Sequence, residues 1–173
     1  MTVRTMRPEL SEIDIVRLMK GETSEERATV AHRLCRRIAT DILTEDERQF
    51  ADEIIQILSR DTAELVRRTL SVTLRNSPRL PHSVAMRLAQ DVESVAIPVL
   101  EQSPVFSDED LIELVLSVTA AKQAAIAGRP TVAGPLTEVI CEHASEAAVE
   151  TVSGNKGAEF SDRAFEHSVD RFP

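Results

Sequence analysis

The sequence predicts an all-α protein built from stacked helical hairpins that follow a small N-terminal helical unit. Three observations lead to this prediction: the apolar residues are mostly aliphatic, glycine is rare, and part of the chain repeats with a regular period. Aromatic side chains make up 3% of the 173 residues, and the chain contains only five glycines. This composition favours helices packed on helices over a β-sandwich, which uses aromatic and β-branched strands.

Residues 1–60 are expected to form an N-terminal three-helix unit. Its helices are predicted at about residues 11–20, 24–42 and 45–60, because each of these runs has apolar residues at helical spacing. The first helix is expected to begin at the N-cap Ser11. A sequence repeat begins after this unit, so a domain boundary is predicted between residues 60 and 61.

The N-caps and buried faces of the second and third helices are also predicted. Thr23 or Ser24 is the expected N-cap of the second helix, and Thr44 with Glu47 has the spacing of a capping box at the start of the third. The predicted buried positions are Val30, Leu34, Ile38 and Ile42 on the second helix, and Phe50, Ile54, Ile55 and Leu58 on the third.

The second part of the chain repeats with a period of about 26 residues. Pro78, Pro104 and Pro130 lie 26 residues apart, and the next step falls on Lys156. Apolar residues keep the same offsets: Leu74, Leu100, Ile126 and Val152 come four residues before, Leu80, Phe106 and Val132 two after, and Leu88, Leu114 and Ile140 ten after. Such a period is typical of helical hairpins that bury their apolar faces only against neighbouring hairpins. We therefore predict about four hairpins over residues 61–173, stacked as a short HEAT-like α-solenoid that continues from the N-terminal unit.

Two of the predicted second helices of these hairpins begin with the same motif. In 106-FSDEDL-111, Ser107 is the expected N-cap and Asp110 completes a capping box. In 160-FSDRAF-165, Ser161 is the expected N-cap. This shared start supports the repeat independently of the prolines.

The segment 91-DVESVAIPVLEQSPVFSDEDLIE-113 resembles the bacterial family known as domain of unknown function 2336. The runs 61-DTAELVRRTL-70 and 126-IAGRP-130 agree with this resemblance, which extends over roughly residues 25–170. The family is uncharacterised, so the resemblance implies a helical-repeat fold and supplies no catalytic residues. Its members are often longer than this chain, and the chain stops at 169-VDRFP-173 just after a helical pattern, so we expect a fragment truncated at the C-terminus.

The arginines of residues 61–90 are the candidate partner-binding residues. This segment contains Arg67, Arg68, Arg75, Arg79 and Arg87 against only Asp61 and Glu64, a net charge of +3. Residues 91–173 hold five Lys or Arg against 15 Asp or Glu, a net charge of −10. In the simplest interpretation, the arginines form a solvated face that pairs with the acidic repeats.

The leading functional prediction is a non-enzymatic interaction module, a regulatory or signalling scaffold that binds a protein or peptide partner. Stacked hairpins offer an extended surface for such a partner, and the five arginines would contact it. Nucleic-acid binding through the same segment is an alternative. That segment has no aromatic side chains to stack on bases, and the net charge of −9 disfavours non-specific binding by the whole chain.

His32 carries the best enzyme-like signal and is the candidate phosphoacceptor of a rival hypothesis. The run 31-AHRLCRRIA-39 resembles the histidine-phosphotransfer signature, in which a helical His is followed by Leu, then Lys, Gly and a small residue. Cys35 occupies the Lys position and Arg36 the Gly position, so Arg33 and Arg36 would have to neutralise the phosphate. Otherwise, His32 is an ordinary residue on a charged helix face.

No cofactor, metal or membrane contact is expected from the sequence. The acidic residues at 108–113 lie at a predicted helix N-terminus, where carboxylates offset the macrodipole, and the sequence contains no phosphate loop or HExxH motif. Cys35 and Cys141 are isolated thiols, which suits a reducing compartment. No stretch approaches 18 apolar residues and no signal-peptide pattern is present, so a cytoplasmic location is predicted.

Overall fold

The computed structural model of the chain describes residues 12–172, without the side chain of Asp14. Helices cover 72% of these residues, and the only β-type pairing among them is an isolated parallel bridge between Val132 and Ala158. The predicted all-α class is therefore confirmed. Ser11, the predicted N-cap of the first helix, lies outside the described residues.

The described residues form eleven helices. These are α1 (Glu12–Lys20), α2 (Ser24–Thr40), α3 (Glu45–Leu58), α4 (Glu64–Leu74), α5 (His82–Ala89), α6 (Glu93–Gln102), α7 (Asp108–Ser117), α8 (Ala120–Ala127), α9 (Gly134–His143), α10 (Glu146–Gly154) and α11 (Asp162–Arg171). Within residues 12–172, every helix is too short or too polar to reach across a lipid bilayer.

The chain divides into two compact units, Met1–Thr73 and Leu74–Pro173, called the first unit and the second unit below. The domain boundary predicted between residues 60 and 61 was placed where the sequence repeat begins. It stays a prediction.

The predicted N-caps of α2 and α3 are present in the first unit. The Thr23 hydroxyl accepts a hydrogen bond from the Glu26 N–H at 3.2 Å, and the Glu26 carboxylate accepts one from the Thr23 N–H at 3.3 Å. Thr44 and Glu47 exchange the same pair of bonds at 3.3 and 3.0 Å. Each capping box satisfies backbone donors that a helix start leaves unpaired, which fixes where the two helices begin.

The core of the first unit agrees with the prediction at five of the eight positions expected to be buried. Leu34 and Ile38 of α2 and Ile54, Ile55 and Leu58 of α3 are buried. Val30 and Phe50 are half-buried. The prediction that Ile42 is buried is wrong, because Ile42 is 91% exposed. The helix ends at Thr40, and the extended Asp41 takes the following residues out of the helical register.

An ion pair ties the start of α2 to the loop between α3 and α4. Arg27 donates from Nε to Asp61 Oδ2 at 2.8 Å and from Nη2 to Asp61 Oδ1 at 3.0 Å. It also donates from Nη1 to the Gly21 carbonyl at 3.3 Å, and the Ala63 N–H donates to Asp61 Oδ1 at 2.8 Å. Such a two-pronged pair fixes geometry as well as adding energy, so it holds three segments of the first unit in register.

The Asp61 ion pair predicts a specific loss of stability in acid. Partial burial acts to raise the pKa of the Asp61 carboxyl, but hydrogen bonds from Arg27 and from the Ala63 N–H outweigh it, so the pKa lies below its ordinary value. A lowered pKa contributes stability above the ordinary carboxyl value of about 4, and this contribution is lost as the pH falls through the folded-state value. The Asp61→Asn variant lacks it at every pH.

Thermal unfolding of wild type and Asp61→Asn across pH measures this contribution. We expect the wild type to have a melting temperature a few degrees higher than that of Asp61→Asn at neutral pH. This difference in melting temperature should be constant above about pH 5 and become smaller below about pH 4. A difference that stays constant down to the lowest pH at which both proteins fold would contradict the prediction.

In the second unit, each helix from α6 to α9 packs against the helix two places further along the chain. Helix α6 contacts α8 and α8 contacts α10, while α7 contacts α9 and α9 contacts α11. Helices α5, α7 and α9 begin at His82, Asp108 and Gly134, 26 residues apart each time. The helices of this unit therefore recur with the period that the sequence predicts.

The positions that define the sequence repeat lie in the core of the protein. The residues at the offset of four before each repeat position are all 0% exposed: Leu74, Leu100, Ile126 and Val152. The residues at the other two offsets are at most 7% exposed: Leu80, Phe106, Val132, Leu88, Leu114 and Ile140. Ser107 accepts a hydrogen bond from the Asp110 N–H at 3.1 Å, and Ser161 accepts one from the Ala164 N–H at 3.1 Å. Both predicted N-caps are thus confirmed.

Arg129 joins one repeat to the preceding one by a half-buried pair of hydrogen bonds. From the loop between α8 and α9, it donates from Nη1 to the Leu100 carbonyl at 2.6 Å and from Nη2 to the Ser103 carbonyl at 2.8 Å. These carbonyls belong to the C-terminal end of α6, where the helix leaves acceptors unpaired and favours a cation. Burial lowers the pKa of the Arg129 guanidinium, against an opposing influence of Asp108.

The same kind of contact recurs one repeat later and in the other row of helices. Asn155, 26 residues after Arg129, donates from Nδ2 to the carbonyls of Ala127 and Arg129 at 2.9 and 2.8 Å. Arg171, at the end of α11, donates to the carbonyls of Cys141 and Ala144 at 2.7 and 2.8 Å. In each case, one side chain closes the end of the helix two places earlier, which links successive repeats.

A glycine permits the closest backbone approach between two of these loops. The Val132 N–H donates to the Gly157 carbonyl at 3.0 Å, and the Glu159 N–H donates to the Val132 carbonyl at 2.9 Å. A Cβ at position 157 would overlap the carbonyl group of Pro130. Gly157→Ala must therefore push the two loops apart, and we expect it to lower the free energy of unfolding by about 1–3 kcal/mol.

Gly154→Ala is the matched control for this prediction. It lies at the end of α10, and a Cβ at position 154 would point into open space beyond its own helix. Alanine is the better helix former, so we expect unchanged stability or a gain of about 0.5 kcal/mol. Urea unfolding followed by circular dichroism compares the two variants, and an equal effect of both would refute the close-approach argument.

Candidate partner-binding surface

The five predicted partner-binding arginines are divided between the two units. Arg67 and Arg68 lie on α4 in the first unit. Arg75 and Arg79 lie in the second unit between α4 and α5, and Arg87 lies on α5. The structure thus places them on consecutive elements, but their roles differ.

Arg67 and Arg75 are held by other residues of the chain. Arg67 donates from Nη1 to the carbonyls of Asp61 and Thr62, at 2.8 and 3.2 Å, and so closes the loop before its own helix. Arg75 donates from Nε to Gln102 Oε1 at 3.1 Å. Both side chains are half-buried, so a substitution at either position would disturb the fold as well as a surface.

Arg68, Arg79 and Arg87 are exposed and are called the exposed arginine set. Arg68 and Arg87 form no side-chain hydrogen bond or ion pair with any residue that the structure describes. For these two, the simplest interpretation, pairing with the acidic repeats, finds no support within residues 12–172. Their guanidinium groups remain available to a carboxylate or phosphate of a binding partner.

His32 lies on the exposed side of α2, and a hydrogen bond orients its ring. Its Nδ1 is 3.3 Å from Thr73 Oγ1, and the Thr73 hydroxyl donates to the Thr69 carbonyl at 2.7 Å. Because the only hydroxyl proton of Thr73 is used in this second bond, Thr73 accepts from His32. The neutral ring therefore carries its proton on Nδ1. Sequence reasoning missed Thr73, which is far from His32 along the chain.

An open groove of about 460 Å³ lies beside His32 and is called the α2 groove. One face of α2 lines it: Thr29, His32, Arg33, Arg36, Arg37 and Thr40. Arg37 forms two ion pairs: its Nε lies 3.8 Å from Asp41 Oδ2, and its Nη2 lies 3.9 Å from Glu47 Oε1. Arg33 and Arg36 are exposed, and neither side chain has a hydrogen bond or ion pair with any residue in the described range. The groove thus combines an imidazole with two uncompensated positive charges.

The two cysteines are buried. Burial raises the pKa of Cys35 to about 12. Burial also raises the pKa of Cys141, although Arg171 acts in the opposite direction. Since the thiolate is the nucleophile, neither residue is suited to covalent chemistry at neutral pH.

Comparison with known proteins identifies a family for the second part of the chain. No curated protein and no solved structure matches the sequence. Residues 95–173 match the family described as "Uncharacterised protein conserved in bacteria (DUF2336)". The resemblance predicted for residues 25–94 lies outside this match and stays a prediction. Over residues 95–173, the chain is similar to this family of uncharacterised bacterial proteins, and there the resemblance indicated by the sequence is confirmed.

Proposed function

We propose that the chain is a non-enzymatic, cytoplasmic interaction module that binds an acidic protein or peptide partner in a regulatory complex. In this proposal, the helices of the second unit form a short HEAT-like α-solenoid. The two rows of helices, α6 with α8 and α10, and α7 with α9 and α11, support that arrangement. Stacked hairpins of this kind offer long continuous surfaces to a partner.

The exposed arginine set carries the proposal. The whole chain has a net charge of −9, yet Arg68 and Arg87 have no carboxylate partner among the described residues. Arginine is enriched in protein interfaces because its planar group binds carboxylates at two points and loses little hydration. An acidic partner would supply the missing counter-charges, and its association would be steered by charge and weakened by salt.

Affinity capture with a charge-reversal variant tests this function. The chain serves as bait in an extract of the bacterium that encodes it, as wild type and as the Arg68→Glu/Arg79→Glu/Arg87→Glu variant. Captured proteins are identified by mass spectrometry, and binding of the purified partner is then measured by calorimetry. We expect an acidic protein that binds the wild type and loses at least about tenfold in affinity with the variant.

A second triple variant controls for net charge. Lys20→Glu/Arg48→Glu/Arg60→Glu changes the charge equally at exposed positions outside the 61–90 segment, and we expect it to bind the partner like the wild type. Equal loss in both variants would show a non-specific charge effect and refute the proposal. Captured nucleic acid, with affinity that falls steeply with salt, would instead support the alternative function.

A further inference from the structure

We propose that His32 Nε2 is a phosphoryl-accepting nucleophile and that Arg33 and Arg36 neutralise the phosphoryl group in the α2 groove. This site is separate from the exposed arginine set and goes beyond partner binding. The inference rests on the orientation of the ring, the two unpaired guanidinium groups and the open groove beside them.

The hydrogen bond to Thr73 prepares the ring for attack. It keeps the proton on Nδ1, which leaves the lone pair of the neutral imidazole on Nε2. His32 is exposed, so an incoming group can reach this nitrogen without any movement of the backbone. Thr73 is a positioning residue in this arrangement, because it acts only through the ring that it orients.

The charges of the groove complement a phosphoryl group. Arg36 follows His32 by one helical turn and lies on the same face of α2, and Arg33 lines the same groove. Guanidinium groups pair with phosphate oxygens through two parallel hydrogen bonds. Both arginines have no partner among the described residues, so no existing ion pair has to break when the phosphoryl group arrives.

Phosphoryl transfer to His32 Nε2 needs no general base. The lone pair of Nε2 forms a bond to phosphorus of an activated phosphoryl donor, such as an acyl phosphate or phosphoramidate. The bond between phosphorus and the leaving group breaks, and the leaving carboxylate or amine takes the electron pair. Because Nε2 carries no proton, none has to be removed before attack. The Nδ1 proton stays hydrogen-bonded to Thr73 in the phosphorylated ring.

Chemical phosphorylation with potassium phosphoramidate tests the site in the full chain. Intact mass and fragmentation spectra count and locate the phosphoryl groups, and acid treatment identifies the labile phosphorus–nitrogen bond. We expect one acid-labile group on His32, added about tenfold faster than at the exposed His143. His32→Gln should lose this fast phase, and His143→Gln, the matched control, should keep it.

A second variant separates the role of the groove from simple exposure of the ring. Arg33→Gln/Arg36→Gln keeps His32 and should slow its labelling by about tenfold while labelling of His143 stays unchanged. All three side chains are exposed, so circular dichroism should show an unaltered fold. Equal labelling rates at His32 and His143, or labelling of His32 that ignores the arginine substitutions, would overturn the proposal.

Discussion

Replacing Leu100 with alanine is expected to lower the free energy of unfolding by about 2–5 kcal/mol. Leu100 is 0% exposed and occupies a defining position of the repeat, on the helix that contacts α5 and α8. Removing its side chain loses apolar contacts and leaves a cavity that neighbouring helices can fill only in part. In the proposed solenoid, a defect of this kind weakens the packing of adjacent hairpins as well.

Urea unfolding followed by far-UV circular dichroism measures the effect of Leu100→Ala. Leu116→Ala, at a position on α7 that is 58% exposed, is the matched control and should change the free energy by less than about 0.5 kcal/mol. A loss below about 1 kcal/mol for Leu100→Ala, or an equal loss for both variants, would mean that the repeat positions do not form the core.

Arg129→Ala is expected to cost about 3 kcal/mol, because it leaves two carbonyl groups at the end of α6 without their donor. Ser103 is 0% exposed, so water has little access to one of these carbonyls. Arg129→Lys should recover about half of the loss, since a lysine ammonium is a compact group that cannot reproduce the fork geometry.

The exposed Arg163→Ala variant on α11 is the control for Arg129 and should change stability by less than about 0.5 kcal/mol. Equilibrium unfolding in urea distinguishes the three variants. If Arg129→Ala were as stable as the wild type, these hydrogen bonds would contribute little, and apolar packing alone would hold the helices of the second unit together.

Local sequence signals predict the helices of this chain well. Thr44 and Ser107 are N-caps because a hydroxyl followed three residues later by a carboxylate satisfies backbone donors within a single turn. The apolar residues at the repeat positions around Pro104 are buried, as the 26-residue period predicts. Such signals need only a few residues or one period to be recognised.

Contacts between distant residues could not be predicted in the same way. Arg129 bonds to carbonyls 26 and 29 residues earlier, and its role depends on the stacking of helices. In sequence, Arg67 looks like any other arginine of a basic segment, yet its guanidinium closes the loop at Asp61. Ile42 follows the apolar spacing of α2 but lies after its end, so periodicity alone placed it incorrectly in the core.

The candidate sites were only partly visible in the sequence for the same reason. His32 and its neighbouring arginines could be recognised as a motif, but the acceptor that orients the ring, Thr73, comes from another helix. The basic segment was visible as a local excess of charge. Which of its arginines face solvent depends on loop geometry, and the structure separates Arg68 and Arg87 from the internally bonded Arg67.

The most direct test of the proposed interaction function is amide hydrogen exchange of the chain, alone and bound to its captured partner. We expect slower exchange on binding in α4, in α5 and in the loop between them, the elements that carry the exposed arginine set. Unchanged exchange throughout residues 64–89, with protection confined to other helices, would contradict the assignment of these arginines to the partner-binding surface.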